Sequence, residues 1–443
     1  MDLLVSRVLK YVLIFLMLIY VYLSYSAGVG GVGRRRAKLV SQNVVMLLVF
    51  SICTAIVLYN RPGADYAVLS AFEFIFLIVF VVAYRLVYQN SSPVLINNIA
   101  MLLSIGFIMV IRLSPGNAFK QFMIVLAGSV LALLVKPVLK HKDRLIKIGP
   151  VYTVAGLLLL MVTLILGKTT WGANISIDIF GFTFQPSEFV KILFVFQCAV
   201  LLRDTGHFTS VVLSAILAAA HVIILILSND LGAALIFFVV YISMLYVSTG
   251  QVRYLLAGGL CAVAASILAY RYVSHVRVRI NAWLDPWSII ETGGYQITQS
   301  LFAIGTGGLF GLGLFMGTPG KIPVVVKDFV FSAISEELGL LFAMGVVLVC
   351  FSCFLNMMRN ASQIRDVFYK LIVLGFAVLY AFQCFLSVGG AVKFIPSTGV
   401  TLPFVSYGGS SILCSLIMFS IVIAINNLHN EEKRLEEEKE VEG

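Results

Sequence analysis

The sequence predicts an all-α, polytopic membrane protein of about 13 transmembrane helices, with one long extracytoplasmic loop near residues 273–330. Three observations predict it. Of the 443 residues, 60% are hydrophobic and 12% charged, and the mean hydropathy is +1.02; soluble domains carry about 25% charge. Apolar stretches near 20 residues recur along nearly the whole chain, which is the length that crosses about 30 Å of hydrocarbon. Basic residues also collect in clusters that fall on a single side of the membrane. A membrane barrel would show shorter, alternating segments instead.

In order, the predicted spans lie near 8–27, 43–60, 66–88, 94–112, 118–139, 148–167, 188–203, 209–227, 232–248, 254–272, 331–357, 370–388 and 407–427. Arg34, Arg35, Arg36 and Lys38 follow the first span; Lys140, His141, Lys142, Arg144 and Lys147 follow the fifth; Arg359, Arg365 and Lys370 follow the eleventh. Odd-numbered connections share one side, which the excess of Lys and Arg makes cytoplasmic. The 168–187, 273–330 and 389–406 loops and Asn229-Asp230 then lie outside. Arg7 and Lys10 precede the first span and are the exception, since they would lie outside. That stretch could mimic a signal peptide, but no small-residue cleavage site follows, so it is read as a retained helix.

The net charge of +10 is explained by these orienting loops, and without interleaved aromatics on a soluble surface no nucleic-acid partner is expected. All seven cysteines fall in apolar spans, so the Cys350-Phe-Ser-Cys353 spacing is read as packing. The five histidines are scattered and suggest no zinc site. The tail, 431–443, is a charge run without an apolar face, expected as a cytoplasmic, solvated helix end or a disordered segment. The Gly-rich 305–320 stretch lacks the strand and helix of a dinucleotide loop and is read as a tight, partly embedded path.

Five polar constellations fall at the outer ends of spans. Gln185-Pro186-Ser187-Glu188 is followed by Lys191; Pro and Glu suit a first helical turn, and Lys191 sits at i+3 for an ion pair or for an anionic headgroup. Asp230 is either a helix cap or a site acid. Trp283 and Trp287 flank Asp285-Pro286, a turn with an interfacial foot. Asp328 lies among apolar residues, which would raise its pKa, beside Lys327, which would lower it. If a helix begins near Asp328, the Glu336-Glu337 pair lies about 12 Å deeper and should face a cavity or a partner. Last, Lys393 and Pro396 through Gly399 and Pro403 lead to Ser406, Gly408, Gly409 and Ser410; small residues permit close packing, and exposed amides with Lys393 could cradle a phosphate.

In this order the segments FQPSEFVK (184–191), DLGAAL (230–235), WLDPW with GGYQITQSLFAIGTGGLFGLGL (283–314), KDFVFSAISEELG (327–339) and IPSTGVTLPFVSYGGSS (395–411) resemble the SEDS family of bacterial cell-wall polymerases, the FtsW, RodA and SpoVE group. The resemblance spans 94–430, leaving 1–93 as additional N-terminal helices. It implies a peptidoglycan glycosyltransferase of the bacterial cytoplasmic membrane that extends glycan strands from lipid II on the outer side, for division, elongation or sporulation. It also implies a class B penicillin-binding protein as partner. By motif the essential acid falls on Asp328, and Gln185, Glu188, Lys191, Asp230, Trp283, Asp285, Gln299, Lys393, Ser406 and Ser410 fall in substrate-binding segments. Pro186, Glu336, Glu337, Pro396, Gly399, Pro403, Gly408 and Gly409 would shape the cavity. Two departures stand out: the family's Pro-Glu pair and Thr or Ser before the acid are replaced around Val324 and Lys327, and WGANISIDIFGF (171–182) lacks an Arg-Trp pair.

The implied chemistry is an inverting displacement: Asp328 takes the acceptor hydroxyl's proton and the diphosphate leaves toward Lys191 and Lys393. No tightly bound cofactor is expected; a divalent metal (Mg2+ or Mn2+) is the one candidate helper. A lipid II flippase, or a non-catalytic scaffold for the penicillin-binding protein, are the rival readings. The flippase is disfavoured because the polar clusters stop at the outer side.

Overall fold

The computed structural model describes residues 3–28, 31–170, 173–179, 182–205 and 208–442. Its helices are α1 (Leu3–Ser26), α2 (Val32–Asn60), α3 (Ala64–Val87), α4 (Pro93–Leu113), α5 (Ala118–Leu133), α6 (Val135–Leu139), α7 (Lys142–Lys147), α8 (Gly149–Leu166), α9 (Pro186–Leu202), α10 (Phe208–Leu227), α11 (Leu231–Thr249), α12 (Val252–Tyr272), α13 (Ser274–Leu284), α14 (Tyr295–Gly307), α15 (Val330–Leu338), α16 (Leu340–Gln363), α17 (Val367–Ala391) and α18 (Gly409–Glu442). Between α8 and α9 lie three antiparallel strands, β1 (Lys168–Thr170), β2 (Ala173–Ile179) and β3 (Phe182–Phe184). This is a multi-pass helical membrane protein: among the described residues twelve helices are long and apolar enough to cross a membrane. The thirteenth expected span corresponds to α9, which has 17 residues and is shorter than those twelve.

Two sequence expectations change. The span expected over 331–357 is two helices, because Gly339 breaks it at φ +93. The nine-residue α15 is too short to cross, and α16 is the span. The 168–187 loop carries a small sheet, although Trp171, Gly172, Phe180 and Gly181 of the departing loop motif lie outside the described residues. The charged tail takes the first of its two expected forms, a solvated helix end: α18 carries it on and it is exposed over 432–440, with Glu431 and Glu436 ion-paired.

The chain divides into two compact units. The first holds 1–129, 282–356 and 384–408. Its α4 is mostly apolar and buried from Val94 to Ile111 on every face, as expected of a central helix. The two asparagines on α4 are satisfied by neighbouring helices. Asn98 accepts from Tyr20 (3.2 Å) and Ser24 (3.0 Å) of α1 and donates to Ser352 of α16 (3.0 Å). Asn97 accepts from Arg85 of α3 (2.7 Å) and donates to Gln42 of α2 (2.8 Å). The N-terminal helices are therefore tied to α4 through polar bonds inside an apolar medium, where an unmet partner is costly. Lys10, the basic residue on the unexpected side, donates to the Gly311 carbonyl at 2.7 Å and so has a specific partner in the 273–330 segment. The side chain of Arg7 lies outside the described ones.

The second unit holds 130–281, 357–383 and 409–443. Here α8 packs on α9 and α10 on α11, with Gly156 of α8 close against His221 and Val190. At one end of this unit Lys136 pairs with Glu431 (2.8 Å), Lys142 with Asp366, and Arg365 with Glu436 (3.3 Å). The basic clusters after the fifth and eleventh spans thus meet one another and the acidic tail, as their common side requires.

Candidate functional site

The predicted site residues gather in two clusters, one in each unit. In the first unit the path from Gly307 to α15 is held by backbone pairing. Leu312 N–H donates to the Glu336 carbonyl (2.9 Å), Gly313 N–H to that of Glu337 (2.8 Å), and Leu340 N–H to that of Gly308 (3.0 Å). The glycines are needed for this approach: a Cβ on Gly307 would lie 2.2 Å from the Ser335 carbonyl oxygen, and one on Gly311 2.5 Å from that of Glu337.

The acid pair at the end of α15 braces the same path. Glu337 is fully buried and takes a bidentate fork from Arg112 of α4, at 2.7, 3.0 and 3.1 Å. Arg112 also donates to the Gly317 carbonyl (3.3 Å) and lies 4.5 Å from the Phe315 ring centroid. Glu336 accepts the Thr318 N–H at 2.8 Å. Both acids therefore have partners, and they serve the segment that leads to Asp328. Sequence reading missed Arg112; a lone Arg in the last turn of an apolar span was the available signal.

Asp328 is half-buried in a turn two residues before α15, which begins at Val330 rather than at Asp328 itself. Glu336 is then only six residues, about 9 Å, along the helix. The turn closes through Lys327 N–H to the Val324 carbonyl (3.0 Å), with Val324 at φ +56. The 392–408 loop latches onto it: Tyr407 N–H donates to the Val326 carbonyl (2.8 Å) and the Ser406 hydroxyl to that of Lys327. Ser406 also accepts the Leu402 N–H (3.0 Å), so its hydroxyl closes its own loop as well. Gly408 N–H donates to Gln121 of α5 (3.3 Å). Pro396, Gly399 (φ +75) and Pro403 keep this stretch out of helical form.

Trp283 donates to the Lys393 carbonyl at 3.2 Å, joining two predicted constellations. Asp285 accepts the Ser288 N–H (3.4 Å) and shapes the expected turn, with Trp287 half exposed beside it. Gln299 is half-buried on α14, one residue before Ser300. Ser300 bonds Ser332 of α15 (2.6 Å) and the Ala391 carbonyl (2.7 Å).

The second cluster sits where α9, α11, α17 and α18 converge. Gln185 is the N-cap position of α9, Pro186 opens the helix, and the Gln185 N–H donates to Ser410 of α18 at 3.1 Å. Gly409, the residue before, starts α18. Lys191 donates to Glu188 (2.7 Å) and to Gln383 of α17 (3.3 Å), with both charges nearly buried. Gln185 donates to Ser187 (3.2 Å), whose hydroxyl donates to Asp230 (3.0 Å). Asp230 caps α11 by accepting the Ala233 N–H at 3.1 Å. Burial pushes the Asp230 carboxyl above the usual carboxylate range, and the Ala233 and Ser187 bonds and the Lys191 charge oppose it. Gln383 was not singled out from the sequence, although an amide in an apolar span was a visible signal.

No three His, Cys, Asp or Glu side chains converge on a common ion position among the described residues, so these residues do not by themselves build a metal cage.

The chain matches the family model of the FtsW, RodA and SpoVE cell cycle proteins over residues 93–431. The peptidoglycan glycosyltransferase RodA of Mycobacterium bovis is 32% identical over 426 residues, covering 89% of this chain and 91% of the relative. The protein of the same name from Mycobacterium leprae is 34% identical over 363 residues, 76% of this chain and 78% of the relative. A solved structure of the Thermus thermophilus rod shape determining protein RodA matches with a TM-score of 0.59 at 26% identity, covering 76% of this chain and 97% of that one. A chain from a study of polymerization and crosslinking by a peptidoglycan synthase complex matches with a TM-score of 0.67 at 26% identity, covering 76% and 98%. The chain belongs to the FtsW, RodA and SpoVE family of cell cycle proteins.

Proposed function

We propose that this protein is a peptidoglycan glycosyltransferase that polymerises lipid II into glycan strands on the outer side of the bacterial cytoplasmic membrane. The observation that carries this reading is the braced, half-buried Asp328 in a chain whose RodA relatives are named peptidoglycan glycosyltransferases. A loop held by Ser406, Tyr407 and the Glu336–Glu337 brace keeps an acid in one place, as proton transfer from a positioned substrate demands.

Asp328 takes the proton of the acceptor sugar's hydroxyl. The hydroxyl oxygen bonds to the donor's anomeric carbon as the carbon–oxygen bond to the lipid diphosphate breaks, which inverts that carbon. Inversion needs one base and a stabilised leaving group, so a single acid suffices. Charge grows on the leaving diphosphate. Lys393, in the same unit as Asp328, is the cation proposed to meet it. Lys393 is held on a left-handed residue (φ +59) whose carbonyl Trp283 fixes. No step is routed through a metal. A class B penicillin-binding protein is the proposed partner, supported by the likeness to a chain of a peptidoglycan synthase complex.

Purified protein with its partner and lipid II provides the test. Asp328→Asn and Asp328→Ala should lower strand synthesis by about 10²–10⁴-fold, the usual worth of a positioned base. Near wild-type synthesis in either variant would overturn the assignment of the base.

A further inference from the structure

Helix α3 belongs to the N-terminal helices outside the family match and carries a carboxylate at mid-span, Glu73. Glu73 is 1% exposed, and neither carboxyl oxygen has a hydrogen-bond partner. Ser70, one turn earlier on the same face, is 3% exposed and its hydroxyl is likewise unmet. On the antiparallel α2 the Thr54 hydroxyl is a third buried, unmet oxygen. Thr54 and Ser70 stand at equal distances from residue 62 in the connecting turn, which sets them at one level of the hairpin.

The surroundings are aromatic. Phe76 meets Phe107 of α4 and Phe122 of α5 edge-on, at 6.1 and 5.8 Å, and Phe74 lies 6.3 Å from Phe50 of α2. No charge on the packed elements answers Glu73. Its own helix holds Asp65, Tyr66, Tyr84 and Arg85; α2 holds Cys53, Tyr59 and the basic turn of Arg34 to Lys38; α4 holds Arg112, which is taken by Glu337; α5 holds Lys120. None of them bonds the carboxyl group.

An ionised carboxylate in such a place costs several kcal/mol unless a positive charge joins it. The unused lone pairs of Glu73, of Ser70 one turn away on the same helix face and of Thr54 across the hairpin at the level of Ser70 are the oxygens a hard monovalent cation requires. We propose that the α2–α3 hairpin holds an exchangeable intramembrane monovalent-cation site, with Glu73 as the charged ligand and Ser70 and Thr54 as hydroxyl ligands. The cation is a proton or Na+, which share this carboxylate chemistry.

Dicyclohexylcarbodiimide, an apolar reagent for membrane-embedded protonated carboxyl groups, distinguishes them on the intact protein. Mass spectrometry of the modified chain should place the adduct on Glu73, and Glu73→Gln should lose it. A proton site predicts labelling that falls as the pH is raised, whether the salt is Na+ or choline. A sodium site predicts protection by Na+ at fixed pH, with protection lost in Ser70→Ala and Thr54→Val. Absence of a Glu73 adduct at every pH tried overturns the proposal. Labelling indifferent to both pH and Na+ overturns it too, because the group would then be a fixed structural acid.

Discussion

Val324 takes φ +56, a region that β-branched side chains rarely enter, four residues before Asp328. Such strain costs about 1–3 kcal/mol and persists only where surrounding bonds enforce it. Here the enforcing bonds are those from Lys327 N–H to Val324, Ser406 to Lys327 and Tyr407 to Val326. Asn tolerates this backbone better than Val, so Val324→Asn should raise thermal stability by about 1 kcal/mol in a melting assay. A clear fall would mean that the side chain's packing outweighs the strain. The Glu188–Lys191 pair makes a second test at this scale. Lys191→Met leaves a nearly buried carboxylate alone and should cost about 3–5 kcal/mol. Adding Glu188→Gln should restore part of that stability, because no buried charge is then left unpaired.

Among elements, α15 is the one whose meaning changes most between sequence and structure. As the start of a span it would be a lipid-phase helix with two misplaced acids. As a short buried helix it is a platform whose acids hold the Gly-rich path, and the turn just before it carries Asp328. Arg112→Ala should therefore act like a lesion at α15: a buried Glu337 without its fork, and about 3–5 kcal/mol lost. Arg112→Ala with Glu337→Gln should be more stable than Arg112→Ala alone, read by the midpoint of thermal unfolding. Gly311→Ala drives a methyl into the Glu337 carbonyl at a positive φ, and should lower activity even where the helices stay folded.

For the whole molecule the question is what the extra N-terminal helices do. The family match begins at residue 93, at the start of α4. Yet Asn97 and Asn98 obtain bonds from α1, α2 and α3. Deleting 1–87 strips these bonds, each unmet buried group costing about 1–3 kcal/mol. The shortened chain should aggregate in detergent size-exclusion chromatography. Asn97→Leu with Asn98→Leu in the shortened chain should recover part of the monodisperse peak, because apolar replacements leave nothing unmet.

Class, span positions and motif order were legible in the sequence because hydropathy is a local property that the bilayer reads residue by residue. The pairing of Glu188 with Lys191 was legible too, since i+3 spacing on a helix needs no tertiary knowledge. So was the shared side of the basic clusters after the fifth and eleventh spans, which follows from counting spans. What the sequence could not decide was where polar groups spend their bonds. That Ser406 holds the Lys327 carbonyl, that Arg112 forks Glu337 and that Gln383 answers Lys191 all depend on residues tens to hundreds of positions apart. Hydrogen bonds of this kind are made only after packing brings the chain together, so only the tertiary structure could assign them. Among these residues the sequence could name Asp328 as the acid to watch; the fold supplied the latches that hold it.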